Sequence, residues 1–600
     1  MAIQVSTKWK EAIKAQFRYP GYIKAVLTVA PPGMREGATS STTYTESITS
    51  TEQITNGESY MREPVATFER DRWIGDGSMY LPSEVSNQNK AIEWWSNTVN
   101  FSSESPVVID ITFDTTYTIP GMYILWDTET NSWPTDWIVK GYNVYGELID
   151  EYHVTDTNSY ESYTDAPFDD IKSMKLIFNS WSKPEWRVRI NEITFGLYVG
   201  LNNDAVQSAE FSASSPLTAE DLPTYSFSMT VNNYDKSFDP KLQNGYSKYL
   251  AQRQQVKIQW GFETERGRIE WMDIWPMYLY EWTIPSDAPE VQFTAGSRND
   301  FITNDYIAGK YDGQKHNFYD IAVHILENSG IIKETNSEIP WEIDTALKSM
   351  YTRAPMPVSA TNLLLQLIAN ACSCIYDTNP QNGYIRLRSS VVDTDYEIGM
   401  QQQIGDPAFE IQDRLKSLRI GIHTFREHSE VEEQYKSELM LSGTTRIEAH
   451  FNNIIIEPQV SATNATVSIV ATYARAMVLD VTPSNPSSSV TVVVNGRLVE
   501  ESTTFIETYN NPEVANGLEI EVDNALVTEM DTVASLTEFL VLYYSRRNHL
   551  QIPYLGYPEL EVGDRITVPN KYGQSDGDIV GLSLTFNGGF SGTVDVIAKE

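Results

Sequence analysis

The run Val107-Val-Ile-Asp-Ile-Thr-Phe113 alternates apolar with polar side chains and is rich in β-branched residues. A period of two places successive side chains on opposite faces, so this run reads as a half-buried strand. Comparable runs follow at regular spacing: Gly121-Met-Tyr-Ile-Leu-Trp126, Trp137-Ile-Val-Lys-Gly-Tyr142, Met174-Lys-Leu-Ile-Phe178 and Arg187-Val-Arg-Ile-Asn-Glu-Ile193. Turns rich in Asn, Asp, Gly and Pro separate them, and the pattern implies a β-sandwich within residues 60–200.

The same stretch holds Trp73, Trp94, Trp95, Trp126, Trp133, Trp137, Trp181 and Trp186, more than half of the 14 tryptophans. Trp126 and Trp137 lie inside apolar runs and are expected in the core, where large aromatics dominate burial. Trp133 belongs to Asn131-Ser-Trp-Pro-Thr-Asp-Trp137, a turn-rich segment from which a loop can present it. Flat indole faces stack on sugar rings, and nearby carboxylate and guanidinium groups read the hydroxyls. The candidate glycan-binding set is therefore Trp133, Asp136, Trp181, Trp186 and Arg187. Packing of these tryptophans in the sandwich core is the competing reading.

Upstream, residues 8–17 read as a short helix and Tyr22–Ala30 as a strand that Pro31-Pro-Gly33 stops. Residues 37–58, rich in Ser, Thr and Glu, read as an extended, mobile crossing. Downstream, Ser226–Val231 and Gln255–Trp260 continue the strand pattern, and 318–329 and 360–373 turn helical. In the second helix Leu363, Leu364, Leu367, Ile368 and Cys372 form one apolar face. Asn382-Gly383 makes a turn before the strand Tyr384–Arg388; the remainder is mostly strands, with one helical stretch near 532–548.

A chain of 600 residues is expected to hold about four domains. Its formal charge of -37 repels phosphate, which argues against sequence-independent nucleic-acid binding and against docking to anionic lipid. The same charge suits a channel wall along which DNA passes without sticking. Cys372 and Cys374, the only thiols, read as buried small hydrophobes, so no disulfide framework is expected. The N-terminus lacks a charged start followed by an apolar core, and no apolar run approaches the ~20 residues of a membrane span.

Chemical motifs are sparse. The seven histidines form no compact ligand pair; His423 and His428 are five apart in an expected strand-turn region. The sequence has no phosphate-binding glycine loop and no Gly-X-Ser-X-Gly elbow. No catalytic residue, metal site or cofactor is expected. A carboxylate pair of the glycosidase kind is defined by its separation in space, which sequence does not supply.

Three segments together resemble a known family. Val65-Ala-Thr-Phe-Glu-Arg-Asp-Arg-Trp-Ile-Gly-Asp-Gly-Ser78, Glu93-Trp-Trp-Ser96 and Lys183–Gly196 resemble the discoidin-like, galactose-binding jelly roll found inside phage tail proteins. Leu222-Pro223, Val231-Asn-Asn-Tyr-Asp235, Phe238-Asp-Pro240 and Tyr249–Gly261 are similar to the first tube-like domain of phage tail hub proteins. Tyr543-Tyr-Ser-Arg-Arg547, Pro558–Val568 and Leu584–Gly592 look like the closing strands of that family, with Val562-Gly-Asp564 as a strand-connecting turn.

The resemblance implies a mainly β, multidomain chain with barrel or sandwich hub domains, a small α/β domain and an inserted jelly roll. The implied domains are 1–36 with 200–300, 37–199, 301–400 and 401–600. It further implies a non-enzymatic virion protein at a bacteriophage tail tip. There a ring, expected to be a trimer, caps the tail tube and meets distal tail, tape-measure and tail fibre or receptor-binding proteins. A carbohydrate-binding host adhesin and a tail-associated glycan hydrolase are the alternatives.

Overall fold

The computed structural model describes residues 3–598 apart from 16–17, 30–33, 36, 56–64, 68, 70–78, 80–92, 128–130, 165, 242–245, 286–288, 334–337, 390–391, 487–488 and 572. The Pro31-Pro-Gly33 stop, Trp73 and most of the quoted run 65–78 lie outside the described residues.

The chain is mainly β and multidomain. Its principal sheet has 13 strands and draws on both ends of the sequence. In spatial order the main path runs 197–201, 21–29, 255–265, 268–283, 290–296, 224–232, 206–214, 573–586, 590–598, 548–554 and 408–411. Strand 564–570 pairs with 573–586, and 392–397 pairs with 564–570. Alternation builds this sheet: in Gly21–Val29 every odd residue is buried. The helix Thr7–Lys14 is capped by Ser6, whose Oγ accepts from Trp9 N at 3.0 Å. It lays Trp9 and Ile13 onto the same core.

Strand Gly21–Val29 pairs antiparallel with Leu197–Leu201, with Ala25 opposite Leu201 and Val29 opposite Leu197. The chain thus leaves the principal sheet at one strand and returns at its neighbour. The excursion is a β-sandwich. One sheet runs 38–41, 107–119, 168–181, 134–142, 148–154, and a second runs 192–195, 122–125, 161–164. Its core includes Trp126, Trp137, Phe178 and Ile109.

Of residues 37–58, the described part, 37–55, is not a loose crossing. Ala38–Ser41 pairs with Val107–Ile119, and Thr51–Ile54 forms a 3-10 turn with Gln53 and Ile54 fully buried. Ser50 and Gln53 form a reciprocal capping box. A polar composition had concealed these local hydrogen bonds.

The small α/β unit packs helices Phe318–Glu327 and Thr361–Ala371 with a sheet of Trp341–Ile343, Ile385–Arg388 and Ile375–Thr378. The second helix buries Leu364, Leu365, Ile368 and Ala369, whereas Leu363 is 41% exposed. The buried face is therefore turned by one residue from the expected one, because the helix is covered by a core shared with Phe318, Ile325 and Leu326, which its own sequence does not specify. Both cysteines are free and buried.

The region expected as one unit over 401–600 divides instead. Strands 408–411 and 548–598 belong to the principal sheet, joined through pairings such as Ala209 opposite Phe586. Pairing across more than 370 positions leaves no local mark in the sequence. Between these strands, Leu415–Met440 and Ser489–Asn510 form a long ribbon. At about 3.3 Å per residue the first of them is about 85 Å long. The ribbon carries a distal module built on Leu441, Phe451, Met477, Leu479, Val490, Val492 and Val494. His423 lies within the ribbon, not in a turn, with Nδ1 at 2.9 Å from Glu501 and Nε2 at 2.8 Å from Asp523.

Candidate functional site

Strands Pro134–Tyr142 and Phe168–Trp181 set the geometry of the glycan candidates, with Pro134 opposite Trp181 and Asp136 opposite Ser180. Trp181 turns inward. It is 8% exposed, stacks edge-on to Trp126 at 6.1 Å and donates Nε1–H to Ser132 Oγ at 2.9 Å. Trp126 meets Trp137 edge-on at 5.2 Å, so these rings form the sandwich core. Trp186 is also buried, and Lys183 Nζ lies 4.2 Å from its ring centroid. Trp181 and Trp186 therefore offer no open face on which a sugar could stack. Trp133 is half-buried against the same core, its strand end pinned by Ser182 Oγ, which accepts from Trp133 N at 3.0 Å.

Asp136 points outward and sits 2.7 Å from His153 Nε2 while accepting from Asn179 Nδ2 at 2.9 Å. Those hydrogen bonds, Asn179 first and then His153, hold its carboxyl below the usual range. Arg187 is committed elsewhere: its guanidinium donates to Glu46 and, at 2.9 Å, to Ser96 O. The structure thus packs Trp133, Trp181 and Trp186 on one core, with Asp136 on the adjoining strand facing outward, and sets only Arg187 beside a separate ionic cluster. In that cluster the fully buried Arg189 donates to Glu69 at 2.7 Å and Glu93 at 3.3 Å and lies 4.2 Å over Trp95.

A second concentration of buried charge joins the α/β unit to the principal sheet, and sequence reasoning missed it. Asp377 accepts from Arg386 Nε at 2.6 Å and Nη2 at 2.9 Å, and from Arg388 Nε at 2.7 Å. Burial raises the Asp377 carboxyl, but Arg388 and Arg386 outweigh it and hold the group below its usual range. Arg386 reaches Glu561 at 3.0 Å and Arg388 reaches Val562 O at 2.8 Å. Gly563 makes this approach possible: its φ is +81°, and a Cβ there would fall 2.0 Å from Arg388 Nη2.

The neighbouring Asp564 accepts from Glu561 N at 3.1 Å, and burial, then the Glu561 charge, pushes its carboxyl up to about 7. Nearby, Glu559 is buried and accepts from Trp9 Nε1 and Tyr396 OH, each at 3.1 Å. The signal was present as Pro558-Glu-Leu-Glu-Val-Gly-Asp564, which read as a turn and not as a buried connector. Among the described residues no cluster of three or more His, Cys, Asp or Glu side chains is arranged to hold a metal ion. No helix of the described residues is long and apolar enough to cross a membrane.

No family model matches this chain, and no curated protein does. Among solved structures, the neighbours are mostly phage tail and baseplate proteins. The 43 kDa tail protein of prophage MuSo2 from Shewanella oneidensis is 10% identical; the match covers 68% of this chain and 96% of that one, with a TM-score of 0.37. The prophage tail protein gp18 from Listeria monocytogenes is 12% identical, covering 77% and 94% with a TM-score of 0.32. A chitosan-binding module of a Paenibacillus chitosanase/glucanase is 12% identical over 29% of this chain and 98% of that module, with a TM-score of 0.19.

Proposed function

We propose that this chain is a structural hub subunit at the tip of a bacteriophage tail, without enzymatic activity of its own. It closes into a ring with copies of itself, caps the tail tube and seats distal tail, tape-measure and receptor-binding proteins. The observation that carries this reading is that two sets of family-like segments, far apart in sequence, build one sheet and one core. Val231, Gln255–Gly261, Arg565–Val568 and Leu584–Gly592 all contribute to the 13-stranded sheet. A framework closed by both ends of the chain is suited to carrying inserted modules without deforming. The charge of -37 supports a surface past which DNA slides.

Immunogold electron microscopy of the source phage, with antibody against residues 60–200, is expected to label the tail tip. Accessible particles that carry neither label nor this chain in their mass spectrum would refute the proposal.

Glycan binding by the sandwich rests on Trp133 and Asp136, which are only partly covered; Arg187 is partly exposed too, but its guanidinium is engaged by Glu46 and Ser96 O. Trp133→Ala is expected to lower retention on host cell-wall material by about tenfold, the loss of one aromatic contact worth about 1.4 kcal/mol. Unchanged retention would leave the sandwich a purely structural insert.

A further inference from the structure

We propose that the long ribbon contains a hinge at Asn495–Leu498, about which the distal module swings relative to the hub.

Four residues of the central strand face every irregularity in the ribbon's middle. Toward Leu415–Met440, Glu427 pairs with Val499 and Val431 with Arg497, so His428, Ser429 and Glu430 stand against Leu498 alone. Three positions on, Gln434 is a second extra residue, between the pairs Glu433–Asn495 and Tyr435–Val494. Toward the other neighbour, Ile454–Thr463, the residues Glu457 and Pro458 stand against Gly496 alone. Such bulges interrupt the hydrogen-bond ladder and bend the strand that carries them. Here they interrupt it on both sides of one short segment. Glu457 has a φ of +51°, a strained conformation for glutamate and doubly so before proline.

The packing changes at the same level. On the distal side Val490, Val492 and Val494 are buried in the module's core, whereas on the proximal side Val499 is buried with Ile454 and Ala474. Even-numbered residues face the core in one part and an odd-numbered residue does in the other, so the buried face of the strand switches sides. Arg497 and Leu498, at the crossover, are only half covered.

What holds the module in the observed position is the apolar packing of Ala474 with Ile454 and Val499, a set of side-chain latches and one backbone contact. Arg497 pairs with Glu457 at 3.2 Å and with Glu427 at 3.5 Å, and Arg475 pairs with Glu501 at 3.4 Å. Ala474 N donates to Gly309 O at 2.7 Å. Glu457 and Glu427 are 71% and 49% exposed, and pairs of this kind contribute little and weaken with salt.

The test is a distance measurement by pulsed electron resonance on the full chain, with spin labels at Ser442→Cys in the module and Glu327→Cys in the α/β unit. Both sites are exposed, and the native cysteines are buried and resist labelling. A narrow distribution is expected at low salt. In about 1 M salt, and in the double variant Arg475→Ala/Arg497→Ala, it is expected to broaden or shift by more than about 5 Å. Circular dichroism on the same samples separates hinge motion from unfolding. A distribution that stays narrow and unmoved in salt would overturn the proposal and make the bulges a rigid kink.

Discussion

Replacing Asp377 by alanine is expected to cost roughly 3–5 kcal/mol at the joint between the α/β unit and the principal sheet. The carboxylate is 1% exposed and receives hydrogen bonds from both Arg386 and Arg388. Its removal takes an anionic acceptor from two largely buried guanidinium groups; Arg386 still reaches Glu561 and Arg388 still reaches the Val562 carbonyl. Removing one partner of a buried pair is far costlier than the net worth of the pair, because the stranded charge cannot be rehydrated. Hydrogen exchange should show the loss locally, as faster exchange in strands 375–378, 385–388 and 564–570, while the distal module is unaffected. Asp377→Asn, which keeps one acceptor, should fall between the two. Exchange as slow as in the parent chain would show that the joint does not depend on this carboxylate.

The second large effect is a gain. In the folded chain Asp564 holds its proton up to about pH 7, against an ordinary value of 3.8, because burial and the Glu561 charge disfavour the anion. Between those two values the native state binds a proton that the unfolded state has released, so this group's contribution to stability falls as the pH rises from about 4 to about 7. A displacement of that size corresponds to at most roughly 4 kcal/mol. Asp564→Asn retains an acceptor for Glu561 N and cannot ionise. Relative to the parent, the variant should be little changed near pH 4 and more stable at pH 8, by up to that amount. Unfolding midpoints measured at the two pH values supply the comparison; a stability difference that is the same at both would show that Asp564 does not titrate in this window.

The elements with strong local signals were legible. The alternation of Val107–Phe113 and Tyr22–Val29 appears as strands, and the helical spacing near 318–329 and 360–373 appears as Phe318–Glu327 and Thr361–Ala371. Trp126 and Trp137 lie in the core where their apolar neighbours had put them. The candidate site was less legible. Trp181 and Trp186 stand in polar contexts, Asn-Ser-Trp-Ser and Pro-Glu-Trp-Arg, yet both are buried. A single tryptophan has the same neighbours in sequence whether its strand end closes a core or opens a platform. The covering surface comes from distant residues such as Ser132 and Trp126.

By itself the sequence determined what is set within a few residues: period-two strands, capped helices, turns that need glycine, an acidic surface and the absence of a disulfide framework. The tertiary structure alone decided what depends on meetings between distant segments. It brought strands 206–214 and 573–586 side by side, placed two arginines between Asp377 and the Glu561–Asp564 turn, and shifted the ribbon's buried face at Arg497. The physical reason is that backbone and solvent preferences act over one turn or one strand, whereas burial, and with it the state of a buried charge, depends on whichever segment arrives from elsewhere in the chain.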